Sequence, residues 1–145
     1  MLLTGTHVRT LDDKKRFVLP KRIRETLGDP ETLFVAPGPD QCIWLFTLAG
    51  LEQFAGKLDG APATGAEARV FRRLYFAQTE AVDVDRSGRV LVPDRLIQFA
   101  SLQHDVALIG VRDHLELWDA GRWQAYLTDH APRFDAVAEG AFHQK

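Results

Sequence analysis

Basic side chains are concentrated in one short stretch near the start of the chain. Between His7 and Glu25, seven bases stand against three acids, a local charge of +4, so in a chain of formal net charge -2 the remainder carries -6. Lysine ammonium groups attract phosphates, and an arginine fork can bind guanine O6 and N7 in a major groove. The stretch predicts a surface for an anionic partner, with a solvated charged face as the plain alternative. Its bases are Arg9, Lys14, Lys15, Arg16, Lys21, Arg22 and Arg24.

Catalytic and metal-binding chemistry has little support in the residue pattern. Ser87 and Ser101 are the only serines, and neither stands in a Gly-x-Ser-x-Gly motif. A lone cysteine, Cys42, and histidines without zinc-ligand spacing indicate no metal site. Two Asp-His pairs, at 113–114 and 129–130, could in principle do acid–base work, but neighbours on a strand point to opposite faces, so the first pair is poorly placed to cooperate. We expect no enzyme activity, no metal, no cofactor and no small-molecule substrate.

Length and composition indicate an ordinary globular chain. Its 145 residues make one typical domain or two very small ones, and 46% hydrophobic with 26% charged residues is close to the globular average. No apolar run approaches the ~20 residues of a membrane helix, and the first residues lack a signal-peptide core. A single cysteine suits a reducing compartment. We expect a cytoplasmic protein without a membrane partner.

The chain contains the same pattern twice. Residues 11–23 align with 84–96 at an offset of 73, and the Asp, Arg and Pro positions coincide. A second block aligns 43–46 with 115–118 at an offset of 72. A unit of roughly 55 residues buries too little surface to be comfortable alone, so we expect the two units to share one core.

Each unit predicts a strand, a tight turn, a short strand, a short helix, a hairpin and a longer helix. Proline fits the start of the short helices at Pro20 and Pro93. The boundaries we predict are a first module at 5–58, a linker and amphipathic helix at 59–79, a second module at 80–131, and a loosely held tail at 132–145. The predicted fold is α+β, mainly β: a pseudo-two-fold β-barrel with helices at the rim.

The Asp-x-x-x-Arg pattern of each turn is the most informative motif. We expect Asp12 and Asp85 to cap their turns through the local backbone, with an ion pair to the arginine. In the second copy, acids and bases balance around Arg86 and Arg89, so this structural role suffices there. In the first copy the bases outnumber the acids around Arg16, which favours a surface that binds an anionic partner.

These motifs together resemble the MraZ family of bacterial transcription regulators. The resemblance runs in order from about residue 1 to 128 and includes Asp12, Lys14, Arg16, Pro20 and Arg24, the Glu67-Ala68-Arg69 helix, Val84 to Pro93, and Leu115 to Trp118. It implies two tandem SpoVT-AbrB-type modules interleaved as a swapped-hairpin barrel. It also implies a ring-shaped homo-oligomer that binds short direct repeats of double-stranded DNA in the promoter of the division and cell-wall gene cluster, and autorepression at the nucleoid.

The resemblance also implies which residues contact DNA. It assigns the contact to the turn from Asp12 to Arg16, with Arg16 as the essential side chain and the neighbouring bases in support. Asp85, Arg86 and Arg89 form the matching second-copy motif. One departure is Lys15, which stands where the family pattern, and Gly88 in the second copy, have glycine. Either the first turn differs in shape, or a strained lysine adds a cation for DNA.

A second interpretation remains open. The chain could be an oligomeric protein–protein interaction module of the AbrB superfamily, whose basic surface binds an acidic protein. That interpretation predicts little specific affinity for DNA and a preference for a protein partner over duplex.

Overall fold

Residues 1–59 and 65–143, which the computed structural model describes, form eight strands and six helices. Of the predicted linker and helix at 59–79, residues 60–64 lie outside the described residues, and so do the last two residues of the tail. The strands are β1 (Thr6–Thr10), β2 (Arg16–Val18), β3 (Thr32–Gly38), β4 (Cys42–Phe46), β5 (Glu80–Asp83), β6 (Arg89–Leu91), β7 (Asp105–Gly110) and β8 (Leu115–Asp119). The helices are α1 (Lys21–Thr26), α2 (Leu48–Asp59), α3 (Ala66–Phe76), α4 (Asp94–Phe99), α5 (Ala120–His130) and α6 (Phe134–His143).

The two repeats are interleaved strand by strand. Six strands form one antiparallel sheet in the order β1-β7-β8-β4-β3-β5, and β2 pairs with β6 in a separate ribbon. Only the β3–β4 and β7–β8 hairpins lie within one repeat, whereas β1–β7, β3–β5, β4–β8 and β2–β6 join the two repeats. The predicted two-repeat, swapped-hairpin arrangement is confirmed.

The strand registers reveal an internal two-fold axis. In the ribbon Phe17 lies opposite Val90, its counterpart at an offset of 73, and in the sheet Trp44 lies opposite Glu116, its counterpart at 72. Where a residue faces its own copy, the symmetry axis must pass between the two. The axis therefore passes through both ladders, and each repeat completes the other.

The predicted fold class, α+β and mainly β, is confirmed, but the hydrogen-bonded strands do not close into one continuous barrel. β1 and β5 form the two edges of the six-stranded sheet. β2 and β6 are three residues each and form a ladder with one another, and a single bridge from Val90 to Val84 is the link between this ribbon and the end of β5 among the described residues.

The main core lies between the ribbon and the inner face of the sheet. Side chains alternate along each strand, as in a half-buried antiparallel sheet. Leu115 and Leu117 of β8 point into this core, where they join Phe17 and Val90 of the ribbon. The helices α1 and α4 close the two sides with Ile23 and Leu96. The predicted prolines cap these helices at the residue before their first turn.

The outer face of the sheet is covered by the longer helices. Trp118 packs with Trp123 and Tyr126 under α5, and Phe46 packs with Phe54 and Tyr75 under α2 and α3. The segment after residue 132, which we expected to be loosely held, forms α6. Among the described residues, no helix is long and apolar enough to cross a membrane.

Candidate nucleic-acid interface

The two Asp-x-x-x-Arg turns have the same backbone. The amide of Lys15 donates to the carbonyl of Asp12 at 3.0 Å, and the amide of Gly88 donates to that of Asp85 at 2.9 Å. In addition, the amide of each aspartate donates to the carbonyl of the arginine four residues later. Local hydrogen bonds therefore give both copies one turn shape.

Both aspartates cap their turns, as predicted. Oδ1 of Asp12 accepts the amides of Lys14 and Arg16, both at 2.9 Å, and Oδ2 accepts Nε of Arg16 at 2.9 Å. Asp85 repeats all three contacts, with Arg89 Nε at 2.7 Å. The backbone hydrogen bond from the arginine is the largest of the effects that hold the pKa of each carboxyl below its usual range. Each arginine is thus oriented by its own turn.

The backbone conformation of Lys15 decides between the two explanations for a lysine at the position where the family pattern has glycine. Lys15 has a φ of 62° and Gly88 a φ of 82°, so the turn keeps its shape and the lysine adopts the left-handed conformation. This conformation costs an L-residue about 1–2 kcal/mol. The alternative of a differently shaped first turn is therefore wrong.

Both motif arginines lie on the outward face of the ribbon. Because Phe17 and Val90 point into the core, their neighbours on β2 and β6 point outward. Arg16 lies opposite Leu91, and Val18 lies opposite Arg89. The sequence analysis did not single out Val18 and Leu91. The alternation in Arg-Phe-Val and Arg-Val-Leu, with the middle residue buried, indicates that both side chains are exposed. The outward face (Arg16, Val18, Arg89, Leu91) is called the ribbon face below.

The swap of strands divides the basic stretch between the two ends of the ribbon. The amide of Val92, next to α4, donates to the carbonyl of Lys15, and the amide of Leu19, next to α1, donates to that of Gly88. The first turn therefore lies beside α4, and the second turn beside α1. The first turn and the first helix thus lie at opposite ends of the ribbon, because antiparallel pairing places a strand's start beside its partner's end.

Arg24 shows this division most directly. Its Nη2 donates to Asp29 Oδ1 at 3.1 Å and to the carbonyl of Arg86 at 3.4 Å. Its side chain also covers Gly88, where a Cβ would lie 2.9 Å from Arg24 Cδ. Arg24 thus supports the second turn instead of joining the first.

The remaining predicted residues are accessible at both ends. Five of the predicted residues are exposed: Lys14, Lys15, Lys21, Arg22 and Arg86. Six are half-buried: Arg9, Asp12, Arg16, Arg24, Asp85 and Arg89. Arg9 lies on the edge strand β1. Together with burial, the charges of Arg9 and Arg22 lower the pKa of His7 on the same strand.

A buried cluster on the outer face of the sheet corrects one expectation. Asp113 and His114 precede β8, where the backbone bends, so their side chains do meet: Nδ1 of His114 lies 2.8 Å from Asp113 Oδ1. Nε2 lies 2.9 Å from Glu116 Oε2, and the ring stacks on Trp44. Two carboxylate acceptors match the doubly protonated imidazole. Burial opposes that charge, but the hydrogen bonds to Glu116 and Asp113 outweigh it and raise the pKa of His114.

Metal chemistry gains no support from side-chain placement. In the part of the chain that the structure describes, no three His, Cys, Asp or Glu side chains come together as metal ligands. The site is therefore described by its bases, its two capped turns and the ribbon between them.

Interleaved strands, paired capped turns and a shared core define a protein of two tandem SpoVT-AbrB-type modules. A family model described as "MraZ protein, putative antitoxin-like" matches residues 2–74 and again residues 75–145. The chain belongs to the MraZ family.

Curated relatives are similar over nearly the full length. A protein of Saccharopolyspora erythraea is 39% identical over 138 residues, and one of Moorella thermoacetica is 33% identical over 138 residues, each match covering 95% of both chains. One of Acetivibrio thermocellus is 34% identical over 135 residues, which is 93% of both chains. All three bear the name transcriptional regulator MraZ.

Proposed function

We propose that this protein is a sequence-specific DNA-binding transcriptional regulator whose ribbon face contacts the duplex. One observation carries the proposal: the internal two-fold axis brings Arg16 and Arg89, each oriented by a capped turn, to one outward face. Oriented arginines lose less conformational freedom on binding than free side chains. The names of the relatives support the same function.

The dimensions of the ribbon suit a major groove. Three residues per strand span about 7 Å, and two strands lie about 5 Å apart. B-DNA's major groove is roughly 12 Å wide and admits a two-stranded ribbon. In this pose Arg16 and Arg89, at diagonally opposite corners of the ribbon face, reach base edges, and Leu91 and Val18 lie opposite them, where thymine methyl groups would be contacted.

The flanking bases would bind the phosphates on either side. Lys14 and Lys15 extend from one end of the ribbon, and Lys21, Arg22 and Arg86 from the other, with Arg9 further out on β1. Such contacts set register and affinity without reading sequence, and they make binding salt-dependent. The division of the basic stretch thus gives the ribbon a phosphate grip at both ends.

Assembly into an oligomer would strengthen the weak DNA binding of a single subunit. In a ring-shaped homo-oligomer, several ribbon faces bind short direct repeats at once, and effective concentration raises the affinity without new contacts. We propose that these repeats lie in the promoter of the division and cell-wall gene cluster, and that binding represses the protein's own gene. This places the protein in the cytoplasm, at the nucleoid.

A fluorescence-anisotropy titration tests the proposal. The probes are duplex from upstream of the protein's own gene and a scrambled duplex, each at several salt concentrations, with the wild type and Arg16→Ala. We expect salt-sensitive binding to the native duplex alone, lost in Arg16→Ala, while size-exclusion chromatography and circular dichroism stay unchanged.

The other outcomes are equally informative. Equal binding of both duplexes would mean a phosphate grip without sequence readout. Absence of binding to either would favour the protein-interaction module of the AbrB superfamily. Loss of the oligomer in Arg16→Ala would show that Arg16 has a structural role.

A further inference from the structure

The internal two-fold axis creates two equivalent positions on the outer face of the sheet. In each, a long helix packs beside the hairpin turn of the other repeat. Lys57 of α2 pairs with Asp113 in the first position, and Arg122 of α5 contacts Gln41 in the second. At the offset of 72, Gly50 is the counterpart of Arg122, and Asp113 is the counterpart of Gln41. The two positions can therefore be compared residue by residue.

In the second position, the guanidinium group of Arg122 fills the space between helix and turn. Its Nη1 donates to the carbonyl of Gln41 at 2.7 Å and to that of Ala100 at 3.2 Å. Its Nη2 donates to the carbonyl of Asp40 and to Oε1 of Gln41, both at 3.1 Å. Cζ lies 5.8 Å from the centroid of the Trp118 ring, within the range of a cation–π interaction. The shape of this position therefore suits a guanidinium group.

In the first position, a cavity takes the place of the arginine. A Cβ at Gly50 would lie 3.4 Å from its nearest neighbours, side-chain atoms of Phe46 and Thr47, so the space beyond it is open. The cavity has a volume of about 240 Å³, and Phe46, Phe54 and Asp113 are among its lining residues. Phe46 is the counterpart of Trp118 at the offset of 72. The first repeat thus keeps the aromatic wall and lacks the side chain that fills the second position.

The polar side of this cavity carries a carboxylate where the second position has an amide. Oδ1 of Asp113 lies 2.8 Å from Nδ1 of His114, and Oδ2 lies 3.4 Å from Nζ of Lys57. The Lys57 side chain is 69% exposed, and such a solvated ion pair contributes little. A hydrogen bond from a guanidinium to a carboxylate is about twice as strong as one between neutral groups. A ligand guanidinium can therefore displace the ammonium from Asp113.

The charges around the cavity leave room for one cation. The doubly protonated ring of His114 lies between the carboxylates of Asp113 and Glu116. Once Lys57 has moved into solvent, two negative charges face one positive charge. A singly charged ligand then makes the cavity neutral, whereas an anion would meet a carboxylate without a compensating base.

We propose that this cavity binds a small aliphatic guanidinium compound, a molecule of the chemical class of arginine. Its planar group stacks on Phe46, as Arg122 does on Trp118, and donates to Asp113. A volume of about 240 Å³ is below the roughly 300–1,000 Å³ of drug-sized pockets, so the ligand is small. The site lies on the outer face of the sheet and gives the chain a ligand-binding function beside the proposed contact with DNA.

Calorimetric titration of the full chain with three matched probes tests this ligand class. N-butylguanidinium, N-butylammonium and N-butylurea share one alkyl chain. We expect one equivalent of N-butylguanidinium to bind saturably, and the other two to bind at least about tenfold more weakly. The urea lacks the charge, and the ammonium lacks the planar face. Lys57→Gln should bind N-butylguanidinium more tightly, because it removes the competing ammonium.

Variants of the first position test the place of binding. Gly50→Arg supplies the missing side chain and should abolish binding, whereas the matched control Gly50→Ala leaves the cavity open and should bind as the wild type does. Asp113→Asn keeps the shape of the side chain and removes its charge, so it should weaken binding at least about tenfold. Circular dichroism checks that each variant is folded, and Asp113→Asn decides the matter if Gly50→Arg does not fold.

Several results would overturn the proposal. These are absence of binding to the wild type, equal affinity for the three probes, unchanged affinity in Asp113→Asn, or a folded Gly50→Arg that binds like Gly50→Ala. The titrations contain no DNA, so their failure would leave the proposed function standing. Conversely, loss of DNA binding would leave this site standing.

Discussion

Lys15 and Gly88 occupy the same position in two turns of one shape, with φ values of 62° and 82°. Glycine adopts this conformation freely, whereas lysine does so at a cost. The first repeat therefore carries a strained cation at the end of the ribbon, where the second repeat carries an unstrained glycine. Under the proposed function, the strain is offset by attraction to DNA.

Lys15→Gly should raise stability and lower DNA affinity together. Removal of the left-handed lysine is worth about 1 kcal/mol, partly offset by the greater freedom of glycine in the unfolded chain. Loss of one phosphate contact should reduce the salt dependence of binding by a slope of about 1. Urea denaturation and salt-dependent anisotropy measure the two effects.

Lys15→Ala is the matched control for that variant. It removes the same charge but keeps a side chain with a Cβ in the left-handed region, so it should lower affinity without the gain in stability. Equal stability of the two variants would contradict the strain argument.

Arg89→Ala should weaken binding of the native duplex less than Arg16→Ala does. Both arginines lie on the ribbon face, but in sequence Asp83, Asp85 and Asp94 balance Arg86, Arg89 and Arg95, whereas the bases around Arg16 outnumber the acids. We expect a loss of about tenfold, within the 1–3 kcal/mol typical of a base contact. Lys57→Ala removes a base on the outer face and should leave affinity unchanged. If Arg89→Ala behaves like Lys57→Ala, the second-copy motif is structural only.

The His114 cluster should make stability depend on pH. Its pKa is raised above the ordinary 6.5 in the folded chain, so its contribution is complete below pH 6.5 and is lost as pH rises through the raised value. Hydrogen bonds from His114 help to lower the pKa of Asp113 and Glu116, whose contribution is lost as pH falls below their usual range. The free energy of unfolding should therefore be greatest between these two limits.

Denaturation of wild type and His114→Gln between pH 5.5 and 9 tests this dependence. The wild type should lose stability across the range, and His114→Gln should be less stable at pH 6 and show a flatter profile. Identical slopes in the two proteins would exclude His114 as the titrating group.

Gly38→Ala should destabilise the protein by about 1–3 kcal/mol, the usual cost of overpacking. A Cβ at Gly38 would overlap the indole of Trp44, which lies beside the internal axis. Gly56→Ala is the control, since nothing lies within 4 Å of a Cβ there and alanine favours its helix. Thermal melts should separate the two variants in opposite directions.

The sequence by itself determined the local features, because they depend on contacts a few residues apart. The aspartate caps need only Asp12 or Asp85 and the next four residues, and the helices after Pro20 and Pro93 follow from local chemistry. The repeat offset aligned Phe17 with Val90, but that these two residues face each other is seen only in the tertiary structure. The alternation of buried and exposed positions along a strand is enough to predict that Val18 and Leu91 are exposed on the ribbon.

Only the tertiary structure decided which ends of the repeats meet. Strand pairing between repeats joins residues about seventy positions apart, and no local preference specifies it. That pairing places Arg24 against the second turn, divides the basic stretch, and buries His114 beneath Trp44. It also leaves apolar side chains of α3 and α6 exposed, because coverage of an apolar face depends on every element around it and not on its own periodicity.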